Sequence, residues 1–217
     1  MKFNLLIITV FIFSVSNAQI KKGNLFIGGE FQLGISKSTN GNTNNGIIRY
    51  TSFGISPSIG WVTKDNLVVG ASIVTNFSSS NYSNSDSYSK SNRIGAGFWV
   101  RKYLPLGKSF YLFGNGMLSV QSLYSINSNP QPGYYKEKGY AINAFLVPGI
   151  AYQINKSLFL EAALNNLVML GYETKSIETY QSNVNDTKWS ANSFNLSSGI
   201  GSGTPLQVGI RWMIARK

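Results

Sequence analysis

Any chemistry in this chain has to come from a short list of side chains. Its 217 residues include 8 Asp and Glu and 19 Lys and Arg, but no His and no Cys. Without those two types, the usual ligand sets for zinc, haem and iron–sulfur clusters are missing. Disulfides are excluded, and so is every Ser–His, Cys–His or imidazole general-base mechanism. Carboxylate pairs are the remaining acid–base option. Asp86, Glu137, Glu173, Glu178 and Asp186 lie in polar segments with no paired spacing, which argues against it. The glycine-rich pieces Gly95-Ala96-Gly97, Gly114-Asn115-Gly116 and Gly199-Ile200-Gly201-Ser202-Gly203 do not lead into a helix with Lys-Ser/Thr, as a phosphate-binding loop would. Relief of crowding in a narrow interior suits them better. No catalytic residue, metal or cofactor is expected, and the chain is not expected to be an enzyme.

A second group of polar residues is ordered by phase. Glu30, Gln32, Arg101 and Gln153, together with Glu161, Gln207 and Arg211, fall on the polar side of alternating segments. Counted from the nearest short connections, Arg101, Glu161 and Arg211 lie at similar depth, with Glu30 somewhat higher. An unpaired ionised group in a narrow interior is costly, so these groups are expected to pair and plug the space they share.

The elements that position them are strands. Apolar residues recur at every second position in eight runs, which start near Leu25, Ser52, Leu67, Arg93, Phe110, Tyr140, Leu158 and Phe194. Period two is the signature of β-strand, not helix. In the last run Phe194, Leu196, Ile200, Leu206, Val208, Ile210, Trp212 and Ile214 keep one parity across Ser197–Pro205. It reads as a single long strand, bent or bulged near Gly201–Pro205. Short connections near 63–66, 105–108 and 155–157 alternate with Ser/Asn-rich segments at about 38–47, 78–91, 126–139 and 173–191, which read as long loops. The expected fold is all-β, an eight-stranded antiparallel up-and-down transmembrane β-barrel with short periplasmic turns and long extracellular loops.

The polar face decides between two barrels that share this alternation. A soluble, lipocalin-like barrel turns its polar face to water and would carry abundant Lys and Glu there. Here that face is mostly Gly, Ser and Ala, which suits the tight interior of a small barrel. On the apolar face, Phe77, Tyr124, Tyr140, Tyr172 and Phe194 sit toward the long segments. Trp61, Phe110, Tyr152 and Trp212 sit toward the short connections. Two aromatic belts around an aliphatic band are expected at the two interfaces of a membrane.

The first residues, MKFNLLIITVFIFSVSNAQ, read as a secretory signal peptide over 1–18, cleaved between Ala18 and Gln19, with small residues at Ser16 and Ala18. Residues 19–217 then form one outer-membrane β-barrel domain. Lys2 is the only charge in the leader, so the formal net charge of +11 falls by one to +10. Most of the excess lies near the short connections, among them Lys64, Arg101, Lys108, Lys156 and Arg211. Such a placement suits anionic phospholipid headgroups better than nucleic acid, and no nucleic-acid partner is expected.

The SNAQ junction, GNLFIGGEFQLGIS, SFGISPSIGWVTKDNLVVGASI, VPGIAYQINKSLFLEAAL and PLQVGIRWMI together give the mature chain its character. It resembles the small OmpA/OmpX-type outer-membrane β-barrel proteins of Gram-negative bacteria. One departure is the end. Such chains commonly finish on an aromatic residue used in assembly, whereas this one runs past Trp212 to Ala215-Arg216-Lys217. The resemblance implies an integral outer-membrane monomer among lipopolysaccharide and phospholipid, inserted by the barrel assembly machinery and needing no cofactor. Barrel-embedded enzymes of this kind use His, which this chain lacks. A structural role, or binding of an extracellular ligand or surface partner through the loops, is the expected function. The alternative is a narrow, porin-like channel for water, ions or small solutes, or the barrel component of a secretion or surface complex. Mass spectrometry of the membrane-extracted protein is expected to find its N-terminus at Gln19. A mature chain retaining residues 1–18 would overturn the leader assignment.

Overall fold

The computed structural model describes residues 20–39, 47–83, 87–129, 133–164, 167–181, 184–198 and 206–215. The expected leader and its cleavage site at Ala18 and Gln19 lie outside these residues, as do Asp86 and 199–205. Ten strands occupy the described chain: β1 (Leu25–Thr39), β2 (Ile47–Lys64), β3 (Leu67–Tyr82), β4 (Tyr88–Pro105), β5 (Phe110–Asn129), β6 (Gly133–Gln153), β7 (Leu158–Leu164), β8 (Val168–Gln181), β9 (Val184–Ser198) and β10 (Leu206–Ile214).

All pairings are antiparallel. Strands β1 to β7 pair in sequence order, β7 pairs β10, and β10 pairs β1 from Leu25↔Ile214 to Gln32↔Gln207. Pairing among these eight therefore returns to its start, which removes exposed edges along the paired lengths. Above β7, the same β6 edge pairs with β8, and β8 pairs with β9.

Ten strands replace the eight expected, because two positions in the ring are each built from two segments. β7 and β8 follow one another along β6, separated at 165–167. β9 and β10 stand where a single final strand was expected. Among the described residues β9 pairs only with β8, whereas β10 has partners on both sides. The bend expected near Gly201–Pro205 lies outside the described residues, and on either side of it Phe194, Leu196, Val208, Ile210 and Trp212 share the outward face.

A larger correction concerns the polar segments at 78–91, 126–139 and 173–191. Most of their length is strand. β5 and β6 stay in register from Phe110↔Tyr152 up to Asn129↔Gly133, and Ser78, Ser79 and Ser80 pair with Ser91, Lys90 and Ser89. Long connections at these places are reduced to 83–87, 130–132 and 182–183. With Ser, Asn and Thr on both faces there was no apolar phase to reveal a strand. The backbone ladder and contacts such as the stacked Tyr134 and Tyr180 rings, 4.7 Å apart, hold these walls together.

Burial follows the phase. Even-numbered residues face inward on β1 to β3, and odd-numbered residues do so on β4 to β8 and on β10. Outward positions such as Ile73, Phe98, Leu118, Leu146 and Ile210 are exposed. At the end with the short connections, the interior is packed by Ile20, Phe26, Tyr103, Tyr111, Phe113 and Phe159. Ring centroids of Phe26 and Phe159 are 5.4 Å apart, and those of Tyr111 and Phe159 are 5.8 Å apart. The β2–β3 turn anchors the segment before β1. Asn66, in the left-handed region at φ 62°, donates its amide to the Ile20 carbonyl and accepts the Ile20 N–H on Oδ1. Next to it the Lys22 amide donates to Asp65 at 2.8 Å and, with Lys21, holds that carboxyl below its ordinary pKa.

Gly60 and Gly70 let the Trp99 indole lie against the wall of β2 and β3. A Cβ on Gly70 would fall 2.3 Å from the Ile59 carbonyl oxygen and 2.4 Å from Trp99 Cζ2, whereas one on Gly114 would meet nothing within 4 Å. Gly70→Ala is expected to cost about 1–3 kcal/mol through overpacking. Gly114→Ala should stay within about 0.5 kcal/mol of the parent. Urea titration followed by tryptophan emission distinguishes them, and equal midpoints for the two variants would contradict the packing.

Candidate functional site

Charge is concentrated at one level of the interior. Arg101 sits on β4 two residues below Trp99, Glu161 lies at the middle of β7, Arg211 on β10 and Glu30 on β1. All four occupy inward phases, and the ring closure β7–β10–β1 makes three of their strands neighbours. Arg101, Glu161 and Arg211 are 1%, 2% and 2% exposed.

Their contacts form one network. Glu161 Oε2 accepts from Arg101 Nη1 at 2.5 Å and from Arg211 Nε at 2.7 Å. Its other oxygen accepts the Tyr103 hydroxyl at 2.6 Å. Glu30 Oε1 accepts from Arg101 Nη2 at 2.8 Å and from Arg211 Nη2 at 2.6 Å. Arg211 Nη1 donates to Ser58 Oγ at 2.7 Å. Two carboxylates thus face two guanidiniums, and the formal charge of the cluster is zero. Aromatic faces complete the setting. The Arg101 guanidinium lies 4.3 Å from the Phe113 ring centroid, and that of Arg211 lies 5.0 Å from the Trp99 centroid. Arg suits such a place, because its planar fork bonds two carboxylates at once and stacks on rings.

The other three residues singled out from the sequence lie elsewhere. Gln153 is near the short-connection end, where its Oε1 accepts the Tyr111 hydroxyl at 2.9 Å. Gln32 and Gln207 are register partners across β1 and β10 and line a cavity above the ion cluster. That cavity has a volume of about 580 Å³. Glu30 and Arg211 reach it from below, and Ser, Asn and Gln side chains supply much of its wall.

Near its upper part is a second ionic group. Arg93 Nη2 is 3.4 Å from Glu173, and Lys175 Nζ is 2.9 Å from Glu173 and 3.2 Å from Glu137. Sequence reasoning put Glu137, Glu173 and Lys175 in loops and Arg93 at the start of a strand, and missed the group. A usable signal existed: Arg93, Glu137, Glu173 and Lys175 continue the odd, inward parity of β4, β6 and β8. Tyr103 and Ser58 were also missed as partners of the lower cluster, although both lie on inward phases. Among the described residues no group of three or more His, Cys, Asp or Glu is arranged to hold a metal. The paired acids here are neutralised by cations, and the described residues present no free carboxylate pair for acid–base work.

No family model matches the chain, and no curated protein matches it. Among solved structures it is similar to the outer membrane protein OprG from Pseudomonas aeruginosa. That similarity has a TM-score of 0.53 at 11% identity, over 93% of this chain and all of that one. The translocator domain of the autotransporter NalP from Neisseria meningitidis also aligns, with a TM-score of 0.38 at 10% identity, over 98% of this chain and 94% of that one. The first of these likenesses shows that this chain has the fold of an outer-membrane β-barrel protein.

Removing one member of the lower cluster leaves a buried charge without its partner, for which about 3–5 kcal/mol is the usual cost. Glu161→Gln and Arg211→Met are each expected to destabilise by that amount. Tyr103→Phe deletes one bond to a charged acceptor and should cost about 1.5–3 kcal/mol. In the double variant Glu161→Gln/Arg211→Met, Arg101 still faces Glu30, so the loss should fall well short of the sum. Urea unfolding measures all four. Strict additivity would show that Glu161 and Arg211 do not act as a unit.

Proposed function

We propose that this protein is an integral, non-catalytic outer-membrane β-barrel that admits small polar solutes to its lumen, a narrow channel held shut at its floor. The membrane setting is supported by the outward face. Tyr140 and Tyr152, at opposite ends of the aliphatic stretch of β6, are both exposed. Twelve residues of strand span about 40 Å, or about 28 Å at a tilt of about 45°, close to the ~30 Å of a hydrocarbon core. Trp61, Phe110 and Trp212 accompany Tyr152 at one level, and Tyr172 and Phe194 accompany Tyr140 at the other. All five are exposed on the outer face. In this reading the short connections and both chain ends face the periplasm, while the polar upper walls of β3 to β6, β8 and β9 stand above the membrane. A monomer surrounded by lipopolysaccharide and phospholipid, placed there by the barrel assembly machinery, fits the continuous apolar girdle.

The cavity is the observation that carries the solute reading. The interior of an eight-stranded barrel is just wide enough for side chains to fill, and a purely structural barrel would fill it. Here Gly54, Ser56, Ser58, Ser72 and Gly171 surround about 580 Å³, within the ~300–1,000 Å³ of small-molecule sites. Beneath it the ion cluster and the aromatic packing of Phe26, Tyr111 and Phe159 close the axis. Solute can enter from above, and passage requires the Arg101–Glu161–Arg211–Glu30 layer to part.

In planar lipid bilayers the wild-type protein is expected to show little steady conductance. Arg211→Ala and Phe159→Ala should each raise it several-fold while the barrel stays folded by its electrophoretic heat-shift. A large wild-type conductance unchanged by either variant would refute the closed floor. Folded variants that remain silent, singly and combined, would reject the channel and restore a purely structural or wall-mediated binding role.

A further inference from the structure

Just above the upper aromatic belt, the outer face of the barrel turns basic. Lys90 on β4 and Lys136 and Lys138 on β6 hold the outward, even-numbered phase of their strands. Lys188 on β9 is the register partner of Glu178 on β8, and its side chain is 69% exposed. Register lines these residues up. Lys90 pairs with Ile126 and Ile126 with Lys136, while Lys136 pairs with Glu178 and Glu178 with Lys188. Lys90, Lys136 and Lys188 therefore recur at every second strand along one line across the wall, about 10 Å apart. Lys138 lies one outward position below Lys136. Glu178 is the acid of this group. Lys188 bonds it at 3.0 Å and, with the Tyr180 hydroxyl and the charge of Lys138, holds its carboxyl below the ordinary pKa. Four cations thus surround one ionised carboxylate, and the patch stays strongly positive.

Height and neighbours restrict what can bind there. Lys138 stands two residues above Tyr140, about 7 Å along the strand and about 5 Å in height at a tilt of about 45°. That lies within the ~5–7 Å that a headgroup layer adds to each side of the hydrocarbon. Aromatic faces accompany the cations. Lys90 Nζ is 5.6 Å from the Tyr88 ring centroid, and Lys136 Nζ is 5.3 Å and 5.0 Å from those of Tyr134 and Tyr180. Tyr88 and Tyr134 are exposed. Ammonium groups match phosphate, and exposed rings match the C–H faces of sugars. A phospholipid headgroup such as phosphatidylglycerol offers one phosphate and no sugar ring. A phosphorylated glycolipid offers both, with several anions on one stiff headgroup that can bridge widely spaced cations.

Resting on the membrane orientation given above, and going beyond a general lipid surround, we propose that Lys90, Lys136, Lys138 and Lys188, with Tyr88 and Tyr134, form a docking surface for the phosphorylated disaccharide of lipid A. The acyl chains run down over Tyr140, Ile142 and Leu146, which are exposed below the patch on β6. Surface charges carry the attraction, so it is screened by salt.

The test uses the full mature chain folded in detergent, titrated with diphosphoryl lipid A or with phosphatidylglycerol, bound lipid being counted by native mass spectrometry. Lipid A is expected to bind saturably, more tightly than phosphatidylglycerol, and more weakly as salt is raised. Lys90→Gln/Lys136→Gln/Lys138→Gln/Lys188→Gln should weaken lipid A binding on the order of a hundredfold. Tyr88→Ser/Tyr134→Ser should reduce the preference for lipid A over phosphatidylglycerol. Lys64, Lys102, Lys108 and Lys156 are exposed at the other end, and changing these four to Gln should leave lipid A affinity unchanged. The electrophoretic heat-shift establishes that each variant is folded. If the upper quadruple variant fails to fold, Lys90→Gln/Lys136→Gln and Lys138→Gln/Lys188→Gln replace it, each expected to weaken binding on the order of tenfold. Equal affinity for the two lipids would overturn the proposal, and so would lipid A affinity unchanged in the folded upper variants. A loss confined to the lower set would overturn it together with the orientation on which it rests. Conductance through the floor is independent of all these outcomes, so the channel reading stands or falls by its own measurement.

Discussion

Pairing of Leu25–Gln32 with Gln207–Ile214 joins the first strand to the last, and the remaining architecture follows from that closure. Once the sheet meets itself, every strand has one face toward a small enclosed volume and the other toward the surroundings. Period-two alternation then becomes a partition between two environments. Apolar side chains such as Ile73, Leu118 and Ile210 are left outside, where a hydrocarbon phase would suit them. Inward positions are restricted to residues that fit the enclosed volume or find partners within it.

Closure also dictates how charge is handled. Glu161 on β7, Arg211 on β10 and Glu30 on β1 come from strands made adjacent only by the β7–β10–β1 pairings, and Arg101 reaches them across the interior from β4. In so narrow a space an isolated ion is expensive. Two carboxylates and two guanidiniums sharing oxygens, with Tyr103 and Ser58 taking further bonds, form a neutral layer. Substituting one member disturbs all the others. The layer rests on apolar packing of aromatic rings together with Ile20, so the segment leading into β1 belongs to the floor of the structure.

Above that layer the interior changes character. Gly54, Ser56, Ser72 and Gly171 leave room there for a cavity that Trp99, Met117 and Phe145 also line. The walls continue upward as paired strands well past the aliphatic band. Twenty register pairs between β5 and β6 correspond to about 65 Å along the strand, far more than an apolar band ~25 Å tall demands even with tilt. Much of the polar sequence is therefore committed to paired upper walls, where Arg93, Glu173, Lys175 and Glu137 form ion pairs.

The sequence by itself determined the β-class, the division of each run into an apolar and a polar face, and the set of charges on the polar phase. These follow from residue type and parity, which are local properties. Glu30, Arg101, Glu161 and Arg211 were legible as inward residues because the neighbouring apolar positions fixed their parity. Only the tertiary structure decided which atoms meet. The choice of Tyr103 and Ser58 as partners and the separation of Gln153 from the cluster depend on the register between strands far apart in the chain. The tertiary structure also decided where strands end. In 78–91, 126–139 and 173–191 both faces are polar, so hydrophobic periodicity is silent, and a backbone ladder shows itself only when the partner strand is in place.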